Sequence, residues 1–137
     1  MKSKIKYLSI ALLSLATLGF NSCSKDGSSP IEVAEGTFVG EMTVYPAAGG
    51  LKTFEKGSVT ITKAGEGQLK VTPDPSTGGS PRVFDVFDED GAIVNKEDDP
   101  NGVFIYYIDN QTVVITSTKT TATAKDNHFR IRGDRKK

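Results

Sequence analysis

From Gly36 onward, apolar and polar residues alternate in short runs, and each run ends in a cluster of Gly, Pro, Asn or Asp. A period of two with this punctuation predicts an all-β sandwich or barrel. In "GTFVGEMTVYP", Phe38, Met42 and Val44 fall on one face with Gly40 between them, and Val39, Glu41, Thr43 and Tyr45 take the other. "TFEKGSVTITK" alternates Val59 and Ile61 with Ser58, Thr60 and Thr62. After the turn "AGEG", "QLKVTP" returns with Leu69 and Val71 inward, so residues 58–72 read as a hairpin.

Three prolines exclude a central strand from "PDPSTGGSP". Strand character resumes in "RVFDVF" and again in "GAIVN", after an acidic turn. "GVFIYYI" and "TVVITST" flank Asp109-Asn110-Gln111 as a second hairpin. Both faces of "GVFIYYI" are apolar or aromatic, which predicts a central strand covered on both sides. "HFRIRGDRKK" closes the pattern with Phe129 and Ile131 on one face and His128, Arg130 and Arg132 on the other. About eight strands with short connections predict an up-and-down antiparallel sheet curling into a small β-barrel, or a barrel-like sandwich, because closure removes exposed edges.

The first 35 residues obey a different rule. Lys2, Lys4 and Lys6 precede fourteen mostly apolar residues, Tyr7–Phe20. That run is short for a membrane span, which needs about 20 residues, and fits the apolar core of a secretory signal peptide. Cys23, the only cysteine, follows, and an unpaired cysteine in an exported chain calls for an explanation. The residues "GFNSC" resemble the lipobox of bacterial lipoproteins, with small Ser22 before the cysteine; Asn21 and Phe20 depart from the commonest Ala/Ser and Leu. The resemblance implies a signal peptide over residues 1–22, a lipidated Cys23 and a membrane anchor. The alternatives are a secreted chain with a spare thiol, or an uncleaved anchor. Several acyl chains at about 0.8 kcal/mol per buried methylene make such attachment permanent. "SKDGSSP" then reads as a flexible tether, with residues 23–35 preceding a barrel domain over 36–137.

Removing residues 1–22 takes three of the 17 basic residues and no acid, leaving 14 against 17 and a formal charge of −3. No basic footprint for nucleic acid remains. About 100 residues suffice for one small core, which lacks tryptophan and, with Cys23 acylated, has no disulfide.

"GTFVGEMTVYP", "GSVTITKAGEGQLKVTP" and "FRIRGDRKK" together resemble the small calycin-like or lipocalin-like lipoproteins of the Bacteroidota. The resemblance spans most of residues 36–133 and is weakest between Pro73 and Pro100. It implies a small barrel on a lipid tether in the outer membrane, on the periplasmic or the cell-surface side. Its motifs are fold motifs and bring no catalytic residue.

Candidate chemistry is sparse. Counted from Val86, "VFDEDGAIVNKE" places Asp88, Asp90, Gly91, Ile93 and Glu97 at ligand-loop positions of a calcium EF-hand. Val86 stands where the leading carboxylate belongs and the flanks are β-rich, so an acidic, solvated turn is the plainer reading. Glu97-Asp98-Asp99 has the same explanation. Arg132-Gly133-Asp134 spells an integrin-type tripeptide inside a strand, and Asn110-Gln111-Thr112 a glycosylation acceptor inside a turn. His128, the sole histidine, has no nucleophile to serve and is expected on the surface. Tyr106, Tyr107 and Phe104 suit either core or an aromatic platform.

The expectation is a non-enzymatic, lipid-anchored envelope protein needing no cofactor. Two roles stay open. One is a calyx for a small apolar or sugar ligand, lined by Phe38, Val59, Phe104 and Tyr106. The other is a surface interaction module or inhibitor subunit of an envelope complex, with a packed core.

Overall fold

A computed structural model describes residues 30–118 and 126–137. The signal peptide, Cys23 and the tether through Ser29 lie outside the described residues. Eight strands form one closed antiparallel barrel in which every neighbour in sequence is a neighbour in space. They are β1 (Gly36–Tyr45), β2 (Lys52–Gly65), β3 (Gln68–Pro73), β4 (Arg82–Glu89), β5 (Ala92–Asn95), β6 (Gly102–Tyr107), β7 (Thr112–Ser117) and β8 (His128–Arg135). The β8–β1 seam closes the sheet, pairing Phe38 with Arg135 and Tyr45 with His128. Among the described residues no helix is long and apolar enough to cross a membrane.

The alternation does what the pattern predicts. Phe38, Met42 and Val44 of β1, Val59 and Ile61 of β2, and Leu69 and Val71 of β3 all point inward and are buried. Phe84, Ile93, Phe104, Tyr106, Ile115, Phe129 and Ile131 complete the core from the remaining strands. β2, the longest strand, bends at two bulges, one where the register with β1 shifts between Gly40 and Met42, the other opposite β3 near Gly65. At the seam Gly40 faces Gly133, and a Cβ on Gly40 would lie 2.0 Å from the carbonyl oxygen of Arg132. Two glycines let the first and last strands approach.

β6 departs from expectation. Phe104 and Tyr106 are buried, yet Val103 and Tyr107 stay 45% and 41% exposed. The strand is covered on one face only. In a closed barrel each strand has one face inside and one outside, so a doubly apolar strand leaves its second face in water.

The chain enters at the lower end of the barrel. Ile31–Ala34, placed in the tether by the sequence reading, instead form a 3-10 turn packed on the core through Ala34, Ile31 and Val33. Arg135 clasps this turn: Nη1 donates to the Glu35 carbonyl at 2.6 Å, and Nη2 donates to the Val33 carbonyl at 2.7 Å and to the Tyr106 hydroxyl at 3.0 Å. Lys63 adds an ion pair to Glu32 at 2.7 Å. That hydrogen bond holds the Glu32 carboxyl below, and the Lys63 ammonium above, their ordinary ranges.

Loops brace the upper end. Asn127 accepts from the Ala47 N–H at 2.8 Å through Oδ1 and donates to the Gly78 carbonyl at 2.8 Å through Nδ2; its N–H donates to the Ser80 hydroxyl and its carbonyl accepts from the Ser80 N–H. Below it the buried Arg82 guanidinium pairs with the buried Asp126 carboxylate and donates to the Thr118 carbonyl at 2.8 Å. A charge this far from water requires such partners.

Candidate functional site

Phe38, Val59, Phe104 and Tyr106 meet inside the barrel, where alternation sends them, and they fill it. The Phe38 and Tyr106 rings pack edge-on with centroids 5.7 Å apart, and Phe84 packs on Phe104 at 5.6 Å. Each of the four is 0–1% exposed, so a water-sized sphere touches almost none of their surface. An eight-stranded barrel is just wide enough for side chains to fill its interior. At these four residues the interior is core, with no water-sized space beside them.

The uncovered apolar surface lies on the outer wall. Phe87 of β4 pairs with Val94 of β5, Val94 with Ile105 of β6, and Ile105 with Val114 of β7. Paired residues share a face about 5 Å apart, so these four make a continuous apolar row across half the barrel. Val103 and Tyr107 extend it along β6, above and below Ile105. Phe87, Val103 and Tyr107 are exposed. Such a patch, rimmed by polar groups, marks an interaction surface more often than chance.

Asn95 gives the row its depth. The β5–β6 ladder stops after Val94 pairs with Ile105. Beyond it the buried Asn95 side chain replaces the missing strand: Oδ1 accepts from the Phe104 N–H and Nδ2 donates to the Gly102 carbonyl, both at 2.9 Å. Nδ2 also donates to Asp99 at 3.0 Å. The backbone is thereby freed to turn away as residues 96–101, a segment held by Asp99 N–H to the Lys96 carbonyl and Gly102 N–H to the Asp99 carbonyl. Between this turn and the strands lies a groove of about 720 Å³, lined by Phe87, Val94, Val103 and Ile105 and by the charged Glu89, Lys96, Glu97 and Asp98. None of these four charged groups has an ion-pair partner among the described residues.

The other candidates are placed apart or engaged. Asp90 and Gly91 form the tight β4–β5 turn, with φ of 47° and 90°, as a two-residue hairpin of primed type demands. Asp88 pairs with Ile93 next to that turn, whereas Glu97 lies past the far end of β5. The EF-hand spacing thus becomes a hairpin, and its carboxylates do not converge. Among the described residues no three His, Cys, Asp or Glu side chains group to hold a metal. Asp134 of the Arg-Gly-Asp stretch lies within β8 and accepts from the Thr112 hydroxyl at 2.6 Å, and Gly133 faces Gly40. Gln111 takes the positive-φ position of the β6–β7 turn. His128 is half-buried and stacks on Tyr45, centroids 4.7 Å apart.

Sequence reasoning missed Phe87, Val94, Val103 and Ile105 as a site. The signal was the doubly apolar "GVFIYYI", read there as a strand covered twice. No protein-family model, curated protein or solved structure matches this chain.

Proposed function

We propose that this chain is a lipid-anchored protein of the cell envelope, held in the outer membrane through Cys23, whose barrel is an interaction module working through the outer face of β4–β6. It carries out no chemistry itself. The sequence leaves two roles open, a ligand inside the calyx or a contact on the surface. One observation favours the second: the side chains that would line a calyx are packed against one another, while an apolar row stays uncovered on the outer wall. Support for the anchor is the N-terminal pattern, with its basic start, apolar run and "GFNSC". The tether leads into Ile31–Ala34, which is clasped to the lower end, so an anchor at Cys23 would act on the barrel through a fixed point.

Two measurements test the proposal. Palmitate labelling should mark the wild type and spare Cys23→Ser, which should also leave the membrane fraction; an unlabelled wild type would remove the anchor. A photo-crosslinking residue at Val103 should capture an envelope protein in cells, whereas one at Lys56, on the opposite wall, should not. A small molecule retained by the native protein in mass spectrometry, and bound between barrel walls, would overturn the surface role.

A further inference from the structure

We infer that the groove over β4–β6 receives a basic amphipathic helix of a partner protein, its apolar face on Phe87, Val94, Val103 and Ile105 and its cations against Glu89, Glu97 and Asp98. The inference rests on the outer-face role proposed above and names the chemistry of the partner.

Three features of the groove select this occupant. First, the sheet is closed, so every strand has a neighbour on both sides. A partner cannot add a strand to an edge and must dock by its side chains, which is the helix-in-groove mode. Second, the floor is aliphatic and aromatic. Asn95, the one amide in the lining, already uses its oxygen on the Phe104 N–H and its nitrogen on Gly102 and Asp99. Leu-like side chains spaced three and four apart would lie on the apolar row. Third, three carboxylates against one ammonium give the rim a net negative charge, with no ion pair among the described residues consuming it. Unpaired acids around an apolar floor favour Lys or Arg on the incoming surface and repel anionic partners.

The test uses the full chain in neutral phosphatidylcholine nanodiscs, with empty discs as reference. The probe is a designed Leu/Lys amphipathic peptide of about 18 residues, compared with its Leu/Glu twin. The Leu/Lys peptide should bind at least about tenfold tighter than the twin, and Phe87→Glu and Val103→Glu should each weaken it by a similar factor. Both substitutions fall on exposed positions, and an unchanged thermal transition verifies the fold. The pair Glu97→Lys and Asp98→Lys should reverse the preference toward the Leu/Glu twin. Equal binding of both peptides, abolished by Val103→Glu, would overturn the basic partner while leaving the outer-face role standing. Binding of neither peptide, or binding untouched by Phe87→Glu and Val103→Glu, would overturn the inference. Failure to crosslink at Val103 in cells as well would end the outer-face role too.

Discussion

The Arg135 guanidinium lies 4.9 Å from the ring centroid of Phe38, its partner across the β1–β8 seam. The same group reaches the Tyr106 hydroxyl and two carbonyls of the N-terminal turn. One side chain thus joins the last strand, the first strand, β6 and the segment leading toward Cys23.

Replacing Arg135 by Ala should therefore loosen the lower end. Removing a charged donor from two carbonyls costs about 2–3 kcal/mol, read as a lowered urea midpoint. Tyr106→Phe, which deletes one hydroxyl from the same network, should cost about 1 kcal/mol. Equal effects from the two variants would mean that the carbonyl contacts contribute nothing.

The seam should tolerate an added methyl group poorly. Gly40→Ala drives a Cβ into the Arg132 carbonyl and the Gly133 backbone, and overpacking of this kind costs about 1–3 kcal/mol. Gly91→Asn, in the β4–β5 turn, meets open space but sits at φ of 90°, so it should cost about 1 kcal/mol from backbone strain alone, the low end because Asn is among the residues that visit positive φ. Thermal denaturation of both variants checks the contrast.

Neighbours in β6 should behave oppositely. Phe104→Ala empties a fully buried site and should cost about 3–5 kcal/mol. Val103→Ser, one residue away on the wet face, should change stability by less than about 0.5 kcal/mol. A comparable loss at both positions in chemical denaturation would contradict the one-sided burial of this strand.

Docking of the N-terminal turn should depend on pH at both extremes. The Glu32 carboxyl is held below its ordinary range by the Lys63 hydrogen bond. Its contribution is complete above the unfolded value, near pH 4.3, and is lost as pH falls through the lower folded value. Lys63 is shifted upward by the same bond, so its contribution is complete below about pH 10.4 and is lost as pH rises through the higher folded value. Amide hydrogen exchange at Val33 and Glu35, corrected for intrinsic rates, should show protection across the middle range and loss at either end. Lys63→Met should flatten the dependence. Unaltered protection at both extremes would show that the ion pair does not hold the turn. The effect is small, because both side chains are about half exposed.

Much of the fold was legible because strand geometry is local. Successive side chains point to opposite faces, so Phe38, Met42, Val59, Ile61, Leu69, Phe129 and Ile131 could be assigned inward from spacing alone. The turn residues likewise marked the hairpins. The same rule put Phe104 and Tyr106 together on one side of β6, and Phe38 and Val59 on the inner face of the barrel. It was silent on how full that face would be, which depends on side chains from several strands meeting at the barrel axis.

Alternation and turn chemistry thus determined, within the sequence, where the strands run and which residues face inward. Tertiary structure decided the rest, because it depends on groups that are distant in the chain. Arg135 fastens Glu35 from 100 residues away. Phe87, Val94, Ile105 and Val114 become one row only when four strands are in register. Asn95 opens a groove beside that row only because β6 lies where its amide can reach. The outer face of β6 remains in water because closure gives each strand a single inner side.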